Sequence, residues 1–365
     1  MNKILKIFFL ISVVFLTGWG VKSADNILEK LEKKLENIDS YYVEGVMEII
    51  NNEDTYTYDV KVSYKKQDYY RIELINTLNN HEQVILRNDD GVYVVTPSLN
   101  KSFKFQSDWP YNNSQVYLLN SILEDLLEDE EREFKTKDDS YYFVGDVNYP
   151  NNKSLVKQKV YVDKDINITK TEVLDKDDNI QIVMQFTKYE YNKKFDKSYF
   201  ELSELLDINE KKSKLPTKNE SSTSENDEQM EKNTDDDEVS NKVENDDTKM
   251  TATIDDIIYP MYLPANTYLT SQELIDIDYG QRLILTFSGD SSFVLVEEKV
   301  GDVDEGLIIP VNGEFDFLSD VIGVVDTNSL LWHSNGISYY LASDTIATAE
   351  LIEIANSISV LPVSK

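Results

Sequence analysis

Three short apolar runs in the first half of the chain alternate with turn residues in a pattern typical of antiparallel strands. Val84–Arg87 and Val92–Thr96 flank an Asn-Asp-Asp-Gly turn, whose residues tolerate the positive φ angles that tight hairpins require. Pro97 cannot donate to a strand ladder, so the second strand is expected to end there. Phe103 and Phe105 are two positions apart and therefore point to one face of a third strand.

The same alternation predicts further strands on both sides of this meander, together with two amphipathic helices. Apolar residues recur at helical spacing over Asp25–Ile38 and over Gln115–Leu127, the second preceded by an Asn-Asn-Ser capping sequence. Two helices are too few to cover a flat sheet of this size, so we expect the sheet to curl with the helices on its concave side. The predicted fold class is α+β, with a curled antiparallel half-barrel. The additional strands are expected at 41–50, 55–64, 69–74, 141–147, 155–162, 168–174 and 180–189.

The composition changes sharply between Ile208 and Met250, where no aromatic residue occurs and Ser, Asn, Asp, Glu and Lys dominate. Such a segment cannot bury enough apolar surface to offset the entropy of ordering it. We therefore predict a disordered acidic linker over 208–250. It would separate a first domain at 24–207 from a smaller α+β domain at 251–365.

Two hairpins and one helix are predicted in the smaller domain. Within the second hairpin, alternation places Trp332 in the core and His333 on the opposite face, towards solvent. A helix is expected from Thr348 to Ser357. The hairpin strands are Arg282–Ser288 with Phe293–Glu298, and Leu330–His333 with Ile337–Leu341.

Charge and residue usage exclude several classes of function. The 365 residues carry a formal net charge of −32, whereas nucleic-acid binding needs clustered Lys and Arg. There is no cysteine, which excludes disulfides and thiolate sites, and His81 and His333 are too few for a His-rich metal site or triad. No cofactor is expected. An enzyme would depend on Asp, Glu or Ser, and no carboxylate pair stands out in an apolar setting that would raise a pKa.

The first 23 residues are typical of an export signal. Lys3 and Lys6 precede the apolar run Ile7–Leu16, which is too short to span a membrane comfortably, and small residues follow. An uncleaved N-terminal anchor is the alternative. Leu16-Thr-Gly-Trp19 is similar to a bacterial lipobox with Trp at the position of the lipidated cysteine, so the usual lipid anchor cannot form. The protein is expected on the extracytoplasmic side of a membrane.

A curled sheet would direct a set of apolar side chains into its concave side. They could form a groove for an acyl chain or for a hydrophobic segment of a partner, or they could fill an ordinary core. Arg71 alternates to the other face, where it could bind a carboxylate or phosphate, or pair with Glu73 or Asp68. The candidate groove residues are Tyr70, Arg71, Ile72, Leu74, Val94, Phe103, Phe105 and Trp109.

The first domain resembles the LolA/LolB/RseB superfamily of lipoprotein-carrier-like domains. The matching segments are Lys66–Glu73, the Asn88–Pro97 hairpin and the Trp109-Pro110 pair before an apolar helix. Gln67 departs from the proline that the family often has. The resemblance covers most of residues 25–205 and implies a half-open β-barrel over helices, an apolar groove and no catalysis.

The second half is similar to a small domain of unknown function from Gram-positive spore-formers, with its Trp332 strand, Asn335-Gly336 turn and Glu350–Ser357 helix. The pairing of the two domains resembles exported sporulation proteins and GerS-like germination lipoproteins. That resemblance implies binding of an envelope partner such as a cortex-processing amidase, or of a lipid. Two alternatives stay open, namely an RseB-like envelope stress sensor and a carboxylate-based cell-wall hydrolase.

Overall fold

A computed structural model describes residues 23–51, 54–137, 140–207, 252–278, 280–301, 306–318 and 320–358. These residues form two sheets of twelve and seven strands, here called sheet A and sheet B, together with three α-helices. The predicted signal segment and nearly all of the predicted linker lie outside the described residues. In the described part of the chain, no helix is both long and apolar enough to cross a membrane.

Sheet A is built almost entirely from the first half of the chain. Its spatial order is β15 (Leu307–Val311, from the second half of the chain) followed by β6-β5-β4-β3-β2-β1-β11-β10-β9-β8-β7, so its two ends do not meet. Every neighbouring pair is antiparallel except β15 with β6. The strands of the first half are β1 (Ser40–Asn51), β2 (Asp54–Lys65), β3 (Tyr69–Asn76), β4 (Glu82–Asn88), β5 (Gly91–Thr96), β6 (Lys101–Phe105), β7 (Glu133–Lys137), β8 (Ser140–Asp146), β9 (Leu155–Val162), β10 (Ile168–Asp175) and β11 (Ile180–Tyr191).

Two helices bury their apolar faces in the same core as sheet A. Helix α1 (Ala24–Glu36) begins at Ser23, whose side chain accepts a hydrogen bond from the Asn26 N–H. Helix α2 (Leu119–Glu128) begins four residues later than its pattern predicts. The Asn-Asn-Ser sequence does not cap it, because Ser114 Oγ instead donates to Asp125 Oδ1 and accepts from the Asn148 N–H.

The second half of the chain supplies sheet B and one strand of sheet A. Sheet B has the order β12-β13-β14-β19-β18-β17-β16. Both predicted hairpins and the final helix are present, whereas β12 and β15–β17 were not predicted. The elements are β12 (Thr267–Ile277), β13 (Gly280–Gly289), β14 (Phe293–Val300), β15 (Leu307–Val311), β16 (Glu314–Leu318), β17 (Val321–Val325), β18 (Ser329–Ser334), β19 (Ile337–Ala342) and α3 (Thr348–Asn356).

Sheet B is buried on both faces near its β16–β18 end. One face packs with α3 around Trp332 and Leu351. The opposite face joins the core of sheet A through Phe315, Ile322 and Val324. The two halves therefore share a strand pairing and a hydrophobic core, while the domain boundaries at 207 and 251 stay a prediction. The mostly-sheet, open architecture agrees with the coarse expectation.

Candidate functional site

The seven apolar groove residues lie together on one face of sheet A. Tyr70, Ile72 and Leu74 alternate along β3, and Val94 on β5 is the strand partner of Phe103 on β6. Phe105 and Trp109 continue this surface, and all seven side chains are at most 3 % exposed. The alternation along these strands therefore places them on one buried face, as the sequence indicates.

Side chains from the second half of the chain contact these candidate groove residues. The Phe315 ring lies 5.4 Å from the Phe105 ring and 5.7 Å from the Trp109 ring, measured between centroids. The His333 ring stacks on Phe103, with centroids 4.6 Å apart and planes inclined by 10°. In this conformation, the groove side chains form part of a continuous core, and side chains from β16 and β18 contact them.

Arg71 lies on the opposite face of sheet A, because it alternates with Tyr70 and Ile72 along β3. Its guanidinium pairs with Glu73 Oε1 at 2.9 Å and lies over the Tyr199 ring, 4.6 Å from the centroid. Arg71 also donates to the Tyr199 carbonyl oxygen at 3.2 Å. These contacts agree with the pairing interpretation. They attach the segment after β11, which covers that face of the sheet with Phe200 and Leu206.

His333 is buried, so the prediction that it faces solvent is wrong. Trp332 and His333 do occupy opposite faces of β18, as alternation predicts. His333 is nevertheless buried, because both faces of sheet B are covered at this end. His333 is 2 % exposed, and neither ring nitrogen has a hydrogen-bond partner among the described residues. Burial, with the nearby Lys101 and His81 charges, lowers the pKa of His333 to about 3.

Gln83 joins the two sheets and was not identified from the sequence. Its side-chain Nε2 donates to the Ile322 carbonyl at 2.9 Å, and its Oε1 accepts from the Ile322 N–H at 2.5 Å. Gln83 is 3 % exposed, so this pair of hydrogen bonds lies away from water. The sequence does contain an indication of this role. Gln83 shares its strand face with buried Ile85, and a polar side chain on an apolar face needs a hydrogen-bond partner.

A cavity of about 320 Å³ lies between the two halves, beside the groove. Asp316 Oδ1 accepts from the Phe317 N–H at 2.8 Å, and the Asn151 side chain also hydrogen-bonds to Asp316. Burial raises the pKa of Asp316 to about 6. A second carboxylate, Glu353, lies at the exposed rim. Other residues that line the cavity are Gln115, Tyr117, Tyr149 and Ile352.

Side chains suited to metal binding do not converge in the described residues, where no group of three or more His, Asp or Glu could hold an ion. The cavity instead combines amide groups, tyrosine rings and carboxylates. Such a lining suits hydrogen bonding to a small polar group.

Comparison with known proteins identifies the class to which this chain belongs. The model of the sporulation protein YdcC-like family matches residues 1–200. The sporulation protein YdcC of Bacillus subtilis is 32% identical over 363 residues, covering 98% of each chain. The chain is therefore a member of the sporulation protein YdcC-like family, which confirms the sporulation resemblance inferred from the sequence.

Similar solved structures include the complex of the CwlD amidase with the GerS lipoprotein from Clostridioides difficile. It is 22% identical, covers 46% of this chain and 96% of that chain, and has a TM-score of 0.29. A LolA superfamily protein from Nitrosomonas europaea is 14% identical, covers 50% of this chain and 99% of that chain, and has a TM-score of 0.30. The family assignment rests on the sequence matches.

Proposed function

We propose that this protein is an exported, non-enzymatic component of the spore-forming cell envelope that binds a hydrophobic segment of a protein partner in the groove. The observation that carries the proposal is the occupancy of the groove, whose aromatic side chains hold Phe315 and His333 from the distant half of the chain. Membership of the sporulation protein YdcC-like family supports a role in sporulation.

The contacts around the groove favour a polypeptide over an acyl chain. Gln83 hydrogen-bonds to both backbone groups of Ile322, and β15 adds to the β6 edge as a parallel strand. An acyl chain that replaced these strands would leave the Gln83 amide and the β6 edge without partners, at a cost of about 1–3 kcal/mol for each buried group. A peptide that carries aromatic side chains could replace both kinds of contact.

The experiment compares the wild-type protein with a variant in which the groove cover is locked. Lys101 and Leu307 are strand partners on β6 and β15, and neighbouring strands place Cα atoms within the range that a disulfide bridges. The chain has no cysteine of its own, so K101C/L307C forms one defined bridge. Both proteins are used to capture binders from sporulating cells, and proteins and lipids are identified by mass spectrometry.

We expect the wild-type protein to recover an envelope protein that the oxidised K101C/L307C variant loses and that reduction restores. Cortex-processing amidases are candidates for this partner. Recovery of a lipid alone would support the acyl-chain version instead. Equal recovery by the locked and wild-type proteins, with the K101C and L307C single variants as controls, would contradict binding in the groove.

One observation favours the hydrolase alternative enough to require a test. Asp316, whose pKa is raised, and Glu353 both line the cavity. However, Asp316 is already hydrogen-bonded by Phe317 and Asn151, which leaves it less free to protonate a substrate. We expect no clearing of peptidoglycan in a zymogram. Clearing that D316N abolishes would refute the non-enzymatic proposal.

A further inference from the structure

The outer edge of β12 has a combination of features that the groove does not explain. β12 is the end strand of sheet B, and in the described part of the chain only β13 pairs with it. It is eleven residues long, and eight of its positions are exposed. A long unpaired edge offers a row of free N–H and C=O groups to another strand.

The other three sheet ends are protected in recognisable ways. β7, β15 and β16 have five residues each, less than half the length of β12. β7 carries Glu133 and Lys135, and β15 contains Pro310, which cannot donate to a ladder. β12 contains neither proline nor a cation. Among the four sheet ends in the described residues, β12 is therefore the one that combines full strand length with neither proline nor lysine.

Apolar side chains project from both faces of β12. Leu269 and Leu274 are the strand partners of buried Phe287 and Leu283, yet they are 40% and 54% exposed. Tyr268 and Ile275, on the other face, are 64% and 41% exposed. Exposed apolar side chains beside an open edge are typical of a surface that an added strand covers.

The charge around this edge defines the kind of partner. Residues 251–365 contain 3 Lys or Arg and 18 Asp or Glu, so this half has a formal charge of 3 − 18 = −15. Its two described cations are already paired, Arg282 with Glu298 at 2.5 Å and Lys299 with Asp255 at 3.3 Å. Glu273 and Asp276 on β12 have no ion-pair partner within the described ranges.

We propose that the β12 edge is a second binding surface, which accepts an extended, basic segment of another protein as an added antiparallel or parallel strand. Backbone hydrogen bonds would supply affinity, apolar contacts would cover Leu274 and Ile275, and cationic side chains would pair with Glu273 and Asp276. A second copy of this chain is the disfavoured occupant, because two edges of charge −15 halves repel each other. The surface lies outside the groove, so the proposal stands independently of groove binding.

The test uses the full chain and a capped peptide of three Lys-Val-Thr repeats, which presents cations and apolar groups on both faces of a strand of about nine residues. Binding is measured by fluorescence anisotropy. Hydrogen–deuterium exchange then locates the protected amides. We expect protection of the 267–277 segment and an affinity at least about tenfold higher than that of a Glu-Val-Thr peptide or an N-methylated Lys-Val-Thr peptide.

The charge-reversal variant E273K/D276K is expected to lose at least about tenfold in affinity for the Lys-Val-Thr peptide. The matched control D165K/D177K changes the net charge equally at exposed turn positions of sheet A and should bind like the wild type. Equal loss in both variants, or equal binding of the N-methylated peptide, would overturn the proposal. Concentration-dependent protection of 267–277 without peptide would assign the edge to a second copy instead. Protection confined to 307–333 would indicate the groove and refute the edge.

Discussion

Burial of His333 without a hydrogen-bond partner predicts that the stability of this protein depends on pH in a defined direction. The pKa of His333 is lowered from 6.5 to about 3 by burial and by the nearby Lys101 and His81. The unfolded chain therefore binds a proton near pH 6.5 that the folded protein takes up only near pH 3. The contribution of neutral His333 to the free energy of unfolding is therefore fully present above pH 6.5. It is lost as the pH falls from 6.5 towards 3.

The magnitude follows from the two pKa values. Through His333 alone, the free energy of unfolding is lower at pH 5 than at pH 8 by about 2 kcal/mol, and at pH 4 it is lower by about 3 kcal/mol. Other buried groups act in the opposite direction. Burial raises the pKa of Asp125 and of Glu297 to about 7, and that of Asp316 to about 6, so these carboxyls stabilise the folded state as the pH falls.

The contribution of His333 is isolated by comparing the wild type with H333F, which keeps a ring stacked on Phe103. The free energy of unfolding is measured by urea denaturation at intervals from pH 8 to pH 4. Between pH 8 and pH 5, we expect the free energy of unfolding of the wild type to fall by about 2 kcal/mol relative to that of H333F. Any constant cost of the larger ring cancels in this comparison.

His81 provides the matched control, because it is the other histidine of the chain. Its pKa is also lowered by burial, although Asp320 opposes that shift. H81Q should leave the pH-dependent difference between wild type and H333F largely in place. If H333F and the wild type lose stability in parallel between pH 7 and pH 4, then His333 is protonated or solvated in the folded protein and the reasoning fails.

Three further substitutions test other parts of the fold by urea denaturation. Q83L leaves the buried Ile322 N–H and carbonyl without partners, so we expect a loss of about 2–4 kcal/mol, whereas Q185L at an exposed position should cost little. F315A removes an aromatic side chain that contacts the groove and should cost about 3–5 kcal/mol, and a loss below about 1 kcal/mol would mean that the groove is not closed by this residue. G45A should destabilise by about 1–3 kcal/mol, because a Cβ at this bulge would collide with the Gln185 carbonyl oxygen; an unchanged midpoint would contradict that bulge geometry.

Local patterns predicted local structure well. The hairpin of β4 and β5 follows from alternating apolar residues and one turn, and α1 follows from its apolar stripe. The predicted start of α2 is wrong because Ser114, whose residue type favours capping, hydrogen-bonds to Asp125 and Asn148 instead. Sequence position does not show which of several partners a short polar side chain will choose.

Long-range pairings escaped prediction for a different reason. β15 is a run of five residues whose strand partner, β6, lies in the other half of the chain. No pattern in 307–311 indicates that partner, because parallel pairing across a long connection leaves no turn signature. For the same reason, the sequence does not indicate which residues contact the candidate groove. The seven apolar candidate residues share one buried face, and the side chains that contact them come from β16 and β18.

The physical difference between the groove and the β12 edge explains why a protein can carry both surfaces. Groove residues are at most 3 % exposed and their contacts are already made within the chain, so any partner must replace contacts of similar strength. At the β12 edge, no second strand within the described residues has to be displaced, and the backbone groups of that edge would gain hydrogen bonds on binding. A partner at the edge would therefore bind without rearranging the fold, whereas a partner in the groove would require β15–β18 to move. Binding at the edge should accordingly be insensitive to oxidation of K101C/L307C, and binding in the groove should depend on it.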